Sequence, residues 1–436
     1  MNGFDQAICR HVKQGYLGFH TPAHLGRNPF VNRILKGKYD VTELEETDNL
    51  MNPSGIIKEL EQGLAQAFLA QQAHFLPNGA TSGNLAALSL FLPGEKVILD
   101  RGSHLSAFRG AALANIQPIF TAPRLTMTGL PLPPSLEEIQ QLLTLHPDCK
   151  GVFLTSPNYY GLEAEVEKIA ALTKKRGIPL MVDEAHGAHR YFLNPEKTAA
   201  SQGADLVVLS LHKNLPALTQ SGALFLHSSH PRLSRIKEEL GNFTSTSPSY
   251  LLMLSADAML SYMAQKGKEK LAETKKAGQA FKKRLLSAGL WIEKNWDAHR
   301  LVVHAKEGAE KQLKEEYRIL PELSAGETLV FLISLHHQKK ELNQLGKALM
   351  NVALPPEKTL PLFPYPRVGL PLGEAVKKPK KQVPVEEAAG KLCGEAVLLF
   401  PPSVPVLLWG EEISSEWIPL LKKRYHKKTI TVLDEE

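Results

Sequence analysis

The sequence predicts an α/β fold: a large domain built on a mostly parallel sheet, a smaller α/β domain and a C-terminal segment. Three observations predict it. Short apolar runs read as strands buried on both faces: KVILD (96–100), PIF (118–120), GVFLTSP (151–157), PLMVDEA (179–185), DLVVLS (205–210) and GALFLH (222–227). Amphipathic stretches such as Leu136–Leu145 and Glu163–Arg176 fit between them as crossover helices. The chain has 436 residues, 43% of them hydrophobic, enough to bury a large core and leave room for a second one.

In order, residues 1–60 are polar and turn-rich and read as an N-terminal arm of loops and a short helix. The large domain spans 61–257, with Glu61–Ala73 and Gly83–Leu92 as helices, the second stopped by Pro93-Gly94. A strongly helical run, 249–290, leaves it for a small domain over 258–375, where LVVHA (301–305) and TLVFLISL (328–335) read as strands. Pro- and Lys-rich text from 355 to 383 reads as linker and loop, and 376–436 is the C-terminal segment.

Composition narrows the function classes. The net charge of +6 comes partly from runs such as Lys377, Lys378, Lys380 and Lys381, but no aromatics interleave with them, so a solvated face is expected rather than a nucleic-acid site. Three cysteines, Cys9, Cys149 and Cys393, lie far apart with no CxxC, which fits a reducing cytoplasm and no metal cage. The first residues lack the apolar stretch of a signal peptide, and no apolar run is long enough to span a bilayer.

Chemistry concentrates at strand ends. Ser210, His212 and Lys213 follow a buried strand, at the carboxyl edge where open α/β sheets bind ligands. A lysine after a strand is more often simply a surface residue, but PLMVDEAHGAHR changes that balance. Asp183 ends its strand where an aspartate can pair with a pyridinium nitrogen, as pyridoxal phosphate enzymes require; the protonated ring is their electron sink. Ala185 is small enough to lie against a ring face, and His186 can reach a phenolic oxygen or a substrate carboxylate.

DEAH also evokes a Walker B box, but the required GxxxxGK[ST] loop is missing: AAGKLCG has Leu392 after its lysine. His186 and His189 lack a third metal ligand in the local sequence, so no metal is expected. In PNGATSGN, Gly79, Ala80, Thr81, Ser82 and Gly83 stand at a helix start, which suits a phosphate but is also an ordinary cap. His104 follows a strand and can stack on a ring or be a satisfied polar histidine. Ser245, Thr246 and Ser247 precede a helix, as a plain N-cap or as groups reaching a phosphate across a dimer interface.

Taken in order, these motifs resemble the ornithine/lysine/arginine decarboxylase family. FHTPAHLGR (19–27) is similar to its FHxPGHxxG motif, YDVTELEETDNLMNPSG (39–55) to its DxTE segment, and FLPNGATSGN, RGSHLS, TSPNYYG, VDEAHGAH, SLHKNLPALTQ and STSPSYLLMLSAD follow in the family's order. AAGKLCGEAVLLFPPSVPVLLWGEE resembles its C-terminal segment. Departures include Ala23, Leu25, Leu105, Asn158 and Trp409.

The resemblance implies the aminotransferase-like fold of pyridoxal phosphate enzymes, in a short form without the N-terminal wing domain, and a homodimer or dimer-based oligomer. It implies α-decarboxylation of arginine, lysine or ornithine to a polyamine precursor. It implies Lys213 as the lysine joined to the cofactor, Asp183 on the ring nitrogen, His104 on the ring face and His186 nearby. Ala80, Thr81, Ser82, Ser210 and His212 would contact the phosphate, and Ser245, Thr246 or Ser247 that of the other protomer. Arg300 and Arg367 keep transamination open, because either could grip an α-carboxylate; a silent paralogue is the other alternative. Glu411, Glu412, Glu322 and Asp48 are the acids considered for the substrate's distal cation.

Overall fold

The computed structural model describes residues 3–27, 39–295, 297–325, 327–355, 364, 366–400, 404–425 and 427–434. Its centre is a seven-stranded sheet of β1 (Gln72–Leu76), β2 (Lys96–Leu99), β3 (Gln117–Phe120), β4 (Val152–Thr155), β5 (Leu180–Asp183), β6 (Leu206–Ser210) and β7 (Gly222–Leu226), in the order β1-β7-β6-β5-β4-β2-β3. Only β7 runs antiparallel to its neighbours. Every residue of β4 through β7 is buried, as continuous apolar strands covered on both faces must be.

Strand alternation divides the apolar side chains between two layers. Val207 and Leu209 join the cluster beneath the helices Ile56–Ala67 and Val166–Arg176. Leu206 and Val208 join the opposite cluster, under α1 (Gly79–Ser89) and α2 (Leu105–Leu113). A second core lies around the antiparallel strands Arg300–His304, Thr328–Leu332 and Leu323–Ala325 and the helix Lys339–Val352. Phe19 is buried in this second core, because Leu17–Phe19 pairs in parallel with Ile319–Pro321. A third core surrounds Trp417, where Lys380–Pro384 pairs antiparallel with Thr429–Leu433.

Four local expectations are corrected. The helix expected at Glu61–Ala73 is Ile56–Ala67: Asp48 accepts hydrogen bonds from the amides of Gly55 and Ile57 and so starts it earlier, while Ala73 lies in β1. The next begins at Gly79 rather than Gly83. Gly79 takes the positive φ of 72° that turns the chain into the helix. Gly83 is a packing glycine, whose Cβ would lie 2.8 Å from both Leu76 and Val208. The 249–290 run is two helices, Tyr250–Tyr262 and Lys268–Ser287, joined by a π turn at Met263–Gly267. Within the expected 355–383 loop, Leu372–Ala375 is helical and Lys380–Pro384 is a paired strand.

Candidate active site

Asp183 closes β5 and is 3% exposed. Its Oδ1 accepts the amide of Ala185 at 3.0 Å and its Oδ2 accepts Nδ2 of Asn84 at 2.7 Å; Asn84 stands on α1 and also donates to Oγ of Ser106. The carboxylate is thereby aimed without a cationic side chain hydrogen-bonded to it, leaving lone pairs for a ring N–H. His104 is the N-cap of α2: its Nδ1 accepts the Ser106 amide at 3.1 Å. Burial lowers the His104 imidazole, while Asp183 pulls it up and Lys213 and Arg109 push it down.

Lys213 follows β6 and its ammonium is disfavoured first by burial; Asp183 and Glu322 favour its charge and Arg300 opposes it. Its Nζ lies 3.2 Å from Nε2 of His186, and Nδ1 of His186 lies 2.9 Å from Nη2 of Arg300. Arg300 is 1% exposed and also donates through Nη1 to the carbonyls of Asn158 and Tyr159. The Asn158 side chain shapes that turn, accepting the amides of Tyr160 and Leu162 and donating to the Pro131 carbonyl. The Tyr159 ring stands edge-on to His186 with centroids 5.0 Å apart, and its hydroxyl donates to Glu322 at 2.9 Å. The FHTPAHLGR motif docks here as well: the Ala23 amide donates to the His212 carbonyl at 2.9 Å.

The start of α1 suits an anion. Its N-cap Asn78 makes no side-chain bond to the first turn, so the leading N–H groups are not capped from within. Gly222 of β7 allows the close approach; a Cβ there would lie 2.9 Å from the Ala80 nitrogen. Ser82 is buried with its hydroxyl donating to the Gly79 carbonyl, and Thr81 is exposed. Ser210 ends β6, buried. His212 donates from Nδ1 to the Ser221 carbonyl at 3.1 Å, and burial lowers it to about 4. Ser245, Thr246 and Ser247 are exposed before Tyr250–Tyr262 and are not gathered with these groups within the protomer.

The family scan decides the class: residues 3–340 match the major domain of Orn/Lys/Arg decarboxylases. The chain belongs to the Orn/Lys/Arg decarboxylase family. YaaO of Bacillus subtilis is 32% identical over 97% of this chain and 94% of its own length. An arginine decarboxylase of Halalkalibacterium halodurans is 29% identical over 95% of the chain and 92% of its own. The constitutive lysine decarboxylase of E. coli superposes with a TM-score of 0.76 at 16% identity, covering 91% of this chain and 75% of that one. A structure described as SPT with PLP shares the fold at a TM-score of 0.58. Family and fold identify pyridoxal phosphate as the cofactor. The residues present fit it: a buried carboxylate, a half-buried lysine and an uncapped helix start converge on one sheet edge.

Several groups were hidden from the sequence. Asn84 lies within the quoted PNGATSGN, but nothing local links it to a residue 99 positions away. Arg300 was considered as a carboxylate grip and is instead bonded to His186. Of the acids considered, Glu411 forms a buried ion pair with Arg101, at 2.6 Å. Asp48 is held down to about 2: burial pushes it up, and the amides of Ser54, Asn49, Gly55 and Ile57 outweigh that. His189, Asp297 and His299 bring three potential ligand atoms within 4.8 Å of one another, a grouping that leaves out His186, with which the sequence had paired His189. Hydrogen bonds account for this contact. His189 lies 3.1 Å from Oδ1 of Asp297, and that oxygen also accepts the His299 amide. Arg190 and Lys282 add positive charge beside it, which opposes a further cation.

Proposed function

We propose that this protein removes the α-carboxylate of a basic amino acid, arginine, lysine or ornithine, as CO2 and releases an amine of the polyamine-precursor class. Bound pyridoxal phosphate supplies the sink for the electron pair left by the departing carboxylate. Asp183 would hold a proton at the ring nitrogen, His104 and Ala185 would lie against the ring, and Lys213 is the amine that would join the cofactor. Ala80, Thr81, Ser82, Ser210 and His212 would hold the phosphate. Residues 183–191 are all buried, so water is kept from the carboxylate, which favours its loss as neutral CO2. Cα then takes a proton from Lys213 or His186.

The observation that carries decarboxylation over transamination concerns the two arginines. Arg300 has its Nη atoms committed to Asn158, Tyr159 and His186, and Arg367 is exposed on a two-residue strand paired with Glu411–Glu412. Neither is poised to hold an α-carboxylate in the ring plane. For the distal cation, Glu322 is the acid we assign: it is the one of the four that bears on Lys213.

We further propose a cytoplasmic homodimer in which Ser245, Thr246 or Ser247 approaches the partner's phosphate, with the chain divided at residues 60, 257 and 375. No described helix is long and apolar enough to cross a membrane. The test is to offer arginine, lysine and ornithine and measure CO2 against 2-oxoacid. CO2 with a matching amine is expected; 2-oxoacid instead overturns the reading. Lys213→Ala should lose both cofactor absorbance and turnover, and normal decarboxylation by that variant refutes the assignment.

A further inference from the structure

We infer that Arg300, acting through His186, sets Lys213 in the neutral amine form that attacks the cofactor, and that His186 is a fixed hydrogen-bond donor rather than the acid that protonates Cα. The inference rests on Lys213 being the cofactor lysine.

The argument is one of donors and acceptors. A guanidinium carries only N–H donors. Its Nη2 lies 2.9 Å from Nδ1 of His186, so Nδ1 accepts and carries no proton. A neutral imidazole then holds its single proton on Nε2. That N–H faces Nζ of Lys213 at 3.2 Å, and an amine can accept it only through a free lone pair. An ammonium at Lys213 would need a bare Nε2 opposite it, leaving both ring nitrogens bare, which is an imidazolate. The three contacts are therefore satisfied together by Arg300 as cation, His186 as the Nε2–H tautomer and Lys213 as free amine.

The arrangement answers an electrostatic problem. Asp183 and Glu322 both favour a charged Lys213, the form that cannot attack an aldehyde. Burial and Arg300 oppose them. A second proton on His186 is opposed first by its burial and by the Arg300 charge, and further by any charge on Lys213, His104 or His212, while the Tyr159 ring packs edge-on against it. Loss of the Nε2 proton would leave an imidazolate, so His186 is a poor acid, and the proton delivered to Cα comes from Lys213. The balance holds for a substrate that enters as an ammonium: its extra proton would pass to Lys213, whose ammonium no longer accepts from the Nε2–H of His186, and then to Cα after CO2 departs, which restores the free amine. Arg300 is a positioning residue in this scheme.

The test reads His186 directly in the full chain with 15N-labelled histidine, before cofactor is added, assigned by the spectrum of His186→Asn. The expected result is one neutral tautomer, protonated at Nε2, unchanged from about pH 6 to 9. Arg300→Gln keeps a donor for Nδ1 without the charge and should keep the tautomer; Arg300→Met removes the donor and should give a mixture. The pH at which added pyridoxal phosphate is captured, followed by absorbance, should rise by roughly one unit in Arg300→Met, a tenfold loss of free amine at a given pH. A wild-type His186 protonated at Nδ1, or charged in this range, overturns the inference without any variant. So does an Arg300→Met protein whose spectrum and capture profile match wild type. The tautomer is read independently of substrate, so failure of the decarboxylase reading leaves this result standing.

Discussion

Asn84 donates from its Nδ2 to Oδ2 of Asp183 at 2.7 Å, tying α1 to the carboxylate that closes β5. In the proposed site one helix would serve both ends of the cofactor, its first turn facing the phosphate while a side chain one turn later holds the acid.

Asn84→Ala should therefore loosen the cofactor rather than the fold. A hydrogen bond to a charged group is worth about 1.5–3 kcal/mol, so retention of pyridoxal phosphate should weaken roughly 10- to 100-fold. Cofactor release on dilution, followed by absorbance, checks it. Unaltered retention would mean that the Ala185 amide alone aims Asp183.

The strands and the chemistry at their ends were legible in the sequence because β4, β5 and β6 are apolar up to a polar last residue, Thr155, Asp183 and Ser210, and β7 is apolar throughout. The start of Leu136–Leu145 was legible too, but two other helix starts were not. Asp48 caps a helix from eight residues before Ile56, and Gly83 looks like a helix start when its role is to let α1 approach Leu76 and Val208. Side-chain partners across long separations, Asn84 with Asp183 or Arg300 with His186, leave no local trace at all. Glu411 shows the same limit: as sequence it is an unpaired acid, and only the fold brings Arg101 to it.

That Arg101–Glu411 pair joins the loop before His104 to the C-terminal segment. Both oxygens of Glu411 accept from Arg101, which also donates to the Val406 carbonyl. Breaking a buried pair by removing one partner costs about 3–5 kcal/mol. Arg101→Ala should lower the melting temperature markedly and leave the C-terminal segment open to protease before the large domain. A melting curve and a digest, with the fragments identified by mass, read both effects.

Stability should peak near neutral pH. Burial lowers His74, His189, His227, His336 and His337 to about 4. The unfolded chain binds protons on these rings below about 6.5 while the fold does not, so their contribution is lost as the pH falls toward 4. Burial raises Glu61, Asp100 and Glu184 to about 7. The fold keeps those protons after the unfolded chain has released them, so their contribution is lost as the pH rises from the ordinary carboxylate range to about 7. With His212, also lowered to about 4 by burial, six rings outweigh three carboxyls, and the melting temperature should drop on acidification below about 6.5. Glu184 accepts from the Tyr191 hydroxyl and the Ala199 amide, away from the cofactor. Glu184→Gln removes one ionisation, so its gain over wild type should be larger at pH 8 than at pH 5; an equal difference at both would contradict the assignment.

Glu322 carries the prediction for substrate choice. Its Oε1 accepts from Tyr159 and its Oε2 from the Thr21 amide, so the carboxylate is fixed in place by two elements that also shape the site. Each oxygen retains a lone pair for a third partner, and a basic substrate brings a cation with N–H donors to fill it. Glu322→Gln preserves the shape and removes the charge. The KM for the preferred basic amino acid should rise roughly 10- to 100-fold, the loss of about 1.5–3 kcal/mol of a charge-assisted bond, with kcat changed much less. If Glu322 served only to balance Arg300 and Lys213, the KM would hold and the pH profile of cofactor capture would move instead, because Lys213 would lose a carboxylate that favours its charge. Steady-state kinetics and the capture profile, taken on the same variant, separate the two roles.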